Sequence, residues 1–505
     1  MPAYCNGCGG NTYESVCILS SLKKSIGLAL VTQYAELVIQ FVGVLILARI
    51  ISPEEIGIYS VAAFLMAILH VFRDFGVAKY VIKEDELSTE KIRAAFGVAI
   101  ILAWAIALVL FASSRWIADF YDKPEIENIL IVMSASFAIT PMGSVLTAIF
   151  RREMQLKKIL VVRVSSSVCH VVVAVVLALH GFGAISLAWA NFAGILAFGI
   201  AATAMRGSNL PWLPSFNNIR EILSFGSVAS LGSVVGVAGT NAPDVIIGKV
   251  INLAAAGYFS RANGLIQMFR TLVSGAIVPL ILPYFAKLKR ENGDMVQPYF
   301  LAVQYLTVFA WPFFAVMALL ALPVVRTLYG LQWDASVPIV KVLCFAGAVS
   351  TLATFAGEVM IAYGHIRKVT KAQIIVQPVR ILAILFASSQ GLLAIAIAMI
   401  VSECFSVAII SHLLQRTTGV RFQGVLRATG KSAIVTICSV LAPAATEVFW
   451  SANSLEWLEL IVGVVGAFAG WVVGILWTGH PMKSHLHLAW ARLVSKTGTT
   501  LPPGD

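Results

Sequence analysis

Apolar runs of about twenty residues follow one another along nearly the whole chain, and nothing else in it constrains the fold as tightly. Fourteen can be delimited, near residues 25–48, 56–82, 94–112, 127–150, 159–179, 183–205, 221–247, 255–285, 298–325, 335–361, 372–388, 391–414, 432–450 and 457–478. A helix of about 20 residues crosses the roughly 30 Å of a bilayer's hydrocarbon core and satisfies its own backbone hydrogen bonds there. Charged residues make up 12% of the chain and hydrophobic ones 59%, against about 25% charged in soluble domains. A water-facing surface cannot be made from this composition, whose mean hydropathy is +0.88. The expectation is an all-α polytopic membrane protein of about fourteen transmembrane helices. The first run is longer than a signal-peptide core and reads as a retained helix.

Inside this pattern one segment occurs twice. RIISPEEIGIYS (Arg49 to Ser60) and KVINLAAAGYFS (Lys249 to Ser260) pair without a gap at Arg/Lys, Ile/Val, Ile/Ile, Ser/Asn, Gly/Gly, Tyr/Phe and Ser/Ser. Each copy lies between two long apolar runs, so the first two helices correspond to the seventh and eighth. Six helices per copy is an even number, and both copies therefore enter the membrane in the same sense. That predicts two six-helix lobes related by a pseudo-twofold axis along the membrane normal, with two C-terminal helices appended. A second echo, FYDKPEIENILIVM (Phe120 to Met133) and LYGLQWDASVPIVKVLC (Leu328 to Cys344), places an aromatic–polar turn in the third-to-fourth loop of each copy. Trp116 and Trp333 in these stretches suit the headgroup zone. Membrane proteins built from two same-sense bundles are usually transporters.

Charge placement orients the chain. The 36 Lys+Arg exceed the 25 Asp+Glu, but the excess sits in alternate connections, among them Arg151, Arg152, Lys157 and Lys158, then Lys287, Lys289 and Arg290. The opposite connections hold only Arg49, Arg115, Lys123, Lys249 and Arg326. The positive-inside rule puts both termini in the cytoplasm and gives no reason to invoke nucleic acid. The organisation expected is a polar N-terminal tail (1–22), an N-lobe (23–205), a proline-bearing cytoplasmic linker (206–220), a C-lobe (221–414), two further helices with their loop (415–478) and a cytoplasmic tail (479–505). Seven cysteines form no framework. Cys5, Cys8 and Cys17 lack a fourth ligand for zinc, and Cys169, Cys344, Cys404 and Cys438 fall in helices as small apolar residues. No metal or cofactor is expected.

LARIISPEEIGIYSVAAFLMAILHVFRDFG, DVIIGKVINLAAAGYFSRA and LYGLQWDASVPIVKVL together resemble the multidrug/oligosaccharidyl-lipid/polysaccharide exporter superfamily, in its polysaccharide-transporter branch, over roughly residues 20–415. The resemblance implies an inner-membrane flippase that moves undecaprenyl-diphosphate-linked oligosaccharide units for O-antigen, capsule or exopolysaccharide by alternating access. It makes polymerase and chain-length machinery the candidate partners. The branch's usual Asn-Leu-Asp is here Asn241, Ala242, Pro243, Asp244, and the proline suggests a kink.

No Ser/His/Asp set, HExxH motif or nucleotide-binding loop is present, and no enzyme activity is expected. The informative residues are polar and ionisable groups inside spans, each costly unless paired or facing water. Gln33, Glu36 and Gln40 stripe the first helix at i, i+3, i+7, lining a cavity or bonding a neighbouring helix. His70, Arg73 and Asp74 share a face of the second, where Arg73 and Asp74 could simply pair. His70 aligns with Arg270, which shares a stripe with Asn263 and Gln267 on the eighth helix, with Arg261 above it. Cations on equivalent helices suit a diphosphate, because guanidinium bonds phosphate in a bidentate manner. Arg380 and Glu403, mid-membrane on consecutive helices, form either a structural ion pair or part of a proton or substrate site. Arg163 and Glu358 lie near the cytoplasmic face, where long side chains snorkel. Asp244 either caps a kink or lines the outer mouth. Gly232, Gly236 and Gly239 give the spacing of a close helix contact or hinge. Two rivals stay open. A cation-coupled multidrug antiporter of the same fold would favour an acidic cavity, and a membrane polymerase or ligase would carry a large periplasmic loop.

Overall fold

The computed structural model describes residues 11–73, 77–84, 86–206, 214–215, 219–449 and 456–484. No strand occurs among them. The chain runs through α1 (Asn11–Ile50), α2 (Pro53–Arg73), α3 (Val77–Lys83), α4 (Thr89–Tyr121), α5 (Pro124–Ile139), α6 (Pro141–Arg152), α7 (Leu156–Leu179), α8 (Ile185–Ala204) and α9 (Ile219–Val250). It continues through α10 (Leu253–Arg290), α11 (Val296–Leu319), α12 (Ala321–Tyr329), α13 (Val337–Ser350), α14 (Ala356–Ala362), α15 (Ile366–Ser388), α16 (Leu392–Thr418), α17 (Phe422–Ala428), α18 (Gly430–Phe449) and α19 (Glu456–Thr478). Among the described residues ten helical segments are long and apolar enough to cross a membrane, and twelve if each of two bent pairs counts as one span. With α9 and α10, of 32 and 38 residues, the total is consistent with the expected fourteen.

Two compact units divide at Val237/Ala238, inside α9. In the first, α7 packs on α1 and α8, and α5 on α4 and α8. In the second, α10 packs on α13 and α14, α16 on α13 and α15, and α11 on α13 and α18, with α19 against α18. The repeated segment has a local cause in both units. Ser52 accepts from the Glu55 backbone N–H at 3.3 Å while the Glu55 carboxylate accepts from the Ser52 N–H at 2.8 Å, a capping box that opens α2. Asn252 caps α10 in the same position, accepting from the Ala255 N–H at 2.7 Å. The Ser/Asn match is thus a role in starting a helix that the two copies share.

The second echo also resolves into geometry. Asp122 (φ 55°) ends α4 and Gly330 (φ 99°) ends α12, so both copies turn through a left-handed residue just after a buried tyrosine, Tyr121 or Tyr329. Trp116 is 76% exposed, as an interfacial residue would be, whereas Trp333 is wholly buried. Trp333 does not present its ring to the headgroups as Trp116 can: it packs edge-on against Tyr258 and Tyr329, with the Arg261 guanidinium 5.6 Å above it. Arg326 ties the same turn to α19, donating from Nε and Nη2 to Asp334 at 2.9 and 2.7 Å and from Nη1 to Glu456 at 2.8 Å. These carboxylates hold the Arg326 guanidinium above its usual pKa.

Glycines set the close approaches. A Cβ on Gly43 of α1 would meet Val171 of α7 at 2.7 Å, and one on Gly239 of α9 would collide with the Gln377 amide of α15. Each glycine thus marks one close approach, of α1 to α7 and of α9 to α15. The fourth helix of each copy is also broken. α5 and α6 meet at a 46° bend before Pro141, which lacks the N–H a continuing helix needs. α13 and α14 are separated by a 3₁₀ turn at Thr351–Ala353.

Candidate functional site

The second unit contains a pocket that collects polar residues from helices far apart in the chain. Phe269 of α10 is buried, stacking on Phe313 at 4.5 Å and tilting against Phe314 at 4.9 Å. Successive helical residues are 100° apart, so fixing Phe269 in the core turns Arg270 away from it. Gly347 lets α13 lie against the Phe314 ring. Between these helices lies a cavity of about 30 Å³ lined by Thr240, Asn263, Ile266, Gln267, Arg270, Leu343, Ala346, Gly347, Ser350, Arg380, Met399 and Glu403. Ser350 reaches it from the break between α13 and α14.

One wall is an ion pair. Arg380 Nη2 donates to Glu403 Oε1 at 2.5 Å, with the side chains 6% and 15% exposed. Arg380 lies fourteen residues into α15, about 21 Å from its start at 1.5 Å per residue. Gln373, Gln377 and Arg380 form a stripe at i, i+4, i+7 on that helix, and Gln377 Nε2 donates to Gln373 Oε1 at 2.8 Å. Pro378 interrupts the same helix and removes one backbone bond beside the stripe. Among the described residues Arg270 has no carboxylate within 4 Å. The ionisable groups of the pocket are two guanidinium cations and one carboxylate.

The structure thus brings together five of the expected residues: Asn263, Gln267, Arg270, Arg380 and Glu403. Arg261 and Asp244 do not line the pocket. Arg261 is turned to Trp333, and Asp244, next to Pro243 within α9, keeps one buried carboxylate oxygen without a hydrogen bond. In the first unit Glu36 accepts from Arg163 Nη1 at 3.0 Å across α1 and α7, with Gln33 half-buried and Gln40 exposed on the same helix. His70 lies 4.9 Å from the Phe137 ring of α5, and Arg73 ends α2 half-buried. Asp74 and most of the 206–220 linker lie outside the described residues. Sequence reasoning missed Thr240, Ser350 and Gln377. The stripe spacing of Gln373, Gln377 and Arg380 was the signal available for the last.

A second cavity, of about 370 Å³, lies among α11, α12, α18 and α19. Phe309, Phe313, Met317, Val464, Phe468 and Trp471 dominate its almost wholly apolar lining.

Comparison with known proteins places this architecture. Residues 46–338 match the model of the family described as polysaccharide biosynthesis protein. The chain belongs to that family. It is 26% identical over 337 residues to the succinoglycan biosynthesis transport protein ExoT of Rhizobium meliloti (strain 1021), covering 66% of this chain and 67% of that protein. It is 20% identical over 327 residues to the lipopolysaccharide biosynthesis protein WzxC of Escherichia coli (strain K12), covering 64% and 66%. The chain spans about two thirds of the length of these relatives. Its fold is that of the lipid II flippase MurJ in an inward closed conformation, with a TM-score of 0.71 at 14% identity over 89% of this chain and 99% of that one. An inward-facing multidrug resistance MATE family transporter of the MOP superfamily gives 0.57 at 13% identity over 79% and 94%. The chain is therefore a multi-pass membrane protein of a transporter fold.

Proposed function

We propose that this protein is an inner-membrane flippase that carries a lipid-linked oligosaccharide across the bilayer for polysaccharide biosynthesis, by alternating access of its two lobes, and that the second-unit pocket holds an anionic group of the cargo. One observation carries the site. Three polar residues of α10, one of α15 and one of α16 converge on a single pocket, and its charge is one cation in excess. Placing a charged side chain in the membrane interior costs roughly 2.5–3.5 kcal/mol on insertion scales unless it is compensated. Arg270 is exposed at the pocket, and it stands beside an already paired arginine as a cation that a bound anion can reach and compensate. Guanidinium groups meet phosphate or carboxylate oxygens with two parallel hydrogen bonds. The diphosphate of a lipid-linked glycan, or an acidic sugar in it, has that chemistry. The apolar cavity of about 370 Å³ offers a hydrocarbon-compatible surface for the lipid part of the same molecule. A pocket with two arginines and one glutamate fits a cation-coupled drug antiporter less well.

With both termini cytoplasmic, the turns at Ser52 and Asn252 face the periplasm. Cysteine labelling from the periplasm is expected to reach a cysteine replacing Glu54 and not one replacing Arg152; the reverse would overturn the orientation. For the site, Arg270→Ala is expected to abolish glycan export at an unchanged protein level. Arg270→Lys, which keeps the charge and loses the planar fork, is expected to retain part of it. Normal export by the alanine variant would contradict the site, and loss of the protein itself would assign Arg270 to the fold.

A further inference from the structure

The Arg380–Glu403 pair is incompletely matched. Arg380 is 5% exposed, and its Nε is buried without a hydrogen bond, as is Gln377 Oε1 one turn earlier on the same helix. A guanidinium carries five N–H donors and meets a well-placed carboxylate through two of them at once. Glu403 takes one bond, from Nη2. Arg270 lines the same cavity with no carboxylate in reach. At about 30 Å³ the cavity has room for roughly one water. A phosphate or carboxylate of a cargo can therefore meet the exposed Arg270 first but reaches the buried Arg380 only if a lining side chain moves. Glu403 occupies the place where such an oxyanion would meet Arg380.

We propose that Glu403 is a resident counter-anion. It neutralises Arg380 while the pocket is empty, yields the guanidinium to an oxyanion of the cargo, and takes it back as the cargo leaves. The inference rests on the reading of this pocket as the cargo site. Its physical content is a competition: Glu403 and the cargo cannot both hold the same edge of Arg380, so each lowers the other's affinity. Removing the Glu403 charge lets the oxyanion bind more tightly and removes the group that expels it. Binding improves and turnover falls, a split that a purely structural ion pair does not produce.

The test uses the full-length protein in lipid nanodiscs, titrated calorimetrically with inorganic pyrophosphate and, separately, with glucuronate. Glu403→Gln keeps the shape and removes the charge; binding is expected to tighten on the order of tenfold, with glycan export in cells reduced. Glu403→Asp keeps the charge but shortens the side chain by one carbon. It is expected to tighten binding less, and it decides the matter should the glutamine variant not fold. A gain confined to pyrophosphate assigns the pocket to the diphosphate, and one confined to glucuronate assigns it to an acidic sugar. Unchanged or weaker binding of both probes by the variants, with Arg270→Ala still weakening binding by the wild type, would overturn the exchange and leave the cargo site standing. Failure of the wild type and both variants to bind either probe would overturn the cargo site and the exchange together.

Discussion

In the first unit Arg163 meets Glu36 at 3.0 Å with side chains 37% and 26% exposed; in the second Arg380 meets Glu403 at 2.5 Å with side chains 6% and 15% exposed. Both pairs join helices of one unit, and both sit in apolar sequence. They differ in depth. Arg163 is seven residues into α7, about 10 Å from its start, where a long side chain can reach toward the headgroups. Arg380 is about twice as deep, and Glu403 is eleven residues, about 16 Å, into α16. The deep pair borders a cavity shared with further polar residues. The same two residue types serve as a helix tie near the surface and as part of a polar site at depth.

Breaking the deep pair is expected to give the largest effect. Arg380→Ala leaves Glu403 buried without its cation, a loss of about 3–5 kcal/mol, to be read as a lower unfolding temperature in detergent and less protein in the membrane. Arg163→Ala is expected to cost about 1 kcal/mol or less, as exposed pairs do. Equal losses would erase the distinction between the pairs. The double variant Arg380→Met/Glu403→Leu sharpens it, because an apolar replacement of both partners commonly restores stability. That variant is expected to fold and not to export.

An intermediate effect is expected from the two glycine contacts. A methyl on Gly239 displaces Gln377, one turn from Arg380, whereas a methyl on Gly43 presses only on Val171. Gly239→Ala should cost about 1–3 kcal/mol of overpacking and lower export. Gly43→Ala should lower stability by less and leave export close to wild type. Comparable export defects would mean that the first unit's helix contact matters to transport as much as the second's. The smallest effect concerns what the units share. Ser52→Ala and Asn252→Ala are each expected to cost about 1 kcal/mol, seen as matching increases in amide exchange over the first turns of α2 and α10. A large inequality would show that the two caps do not play equivalent roles.

The spans, the repeat and the polar stripes were legible in the sequence because they follow from local rules of length, period and capping. Ser52 and Asn252 aligned before their shared role as caps was visible. Asn263, Gln267 and Arg270 could be placed on one face of α10 from spacing alone, and Arg380 with Glu403 could be seen as neighbours on consecutive helices. Their meeting in one pocket could not be read, since it depends on how α10, α13, α15 and α16 pack. The Glu36 partner was hidden for the same reason: Arg163 is 127 positions away. The burial of Trp333 could not be read either, because an aromatic residue in a polar turn suits an interface, while here three aromatic rings and Arg261 enclose one another under the loop.

The central claim is that the deep polar pocket of the second unit touches the cargo. The direct measurement places a photoreactive benzophenone side chain at Gln267, and in a parallel variant at Arg163, in cells making radiolabelled lipid-linked oligosaccharide. After illumination, labelled glycan is expected on the protein carrying the probe at Gln267, and only at background on the one carrying it at Arg163. Labelling at Arg163 with none at Gln267 would contradict the account.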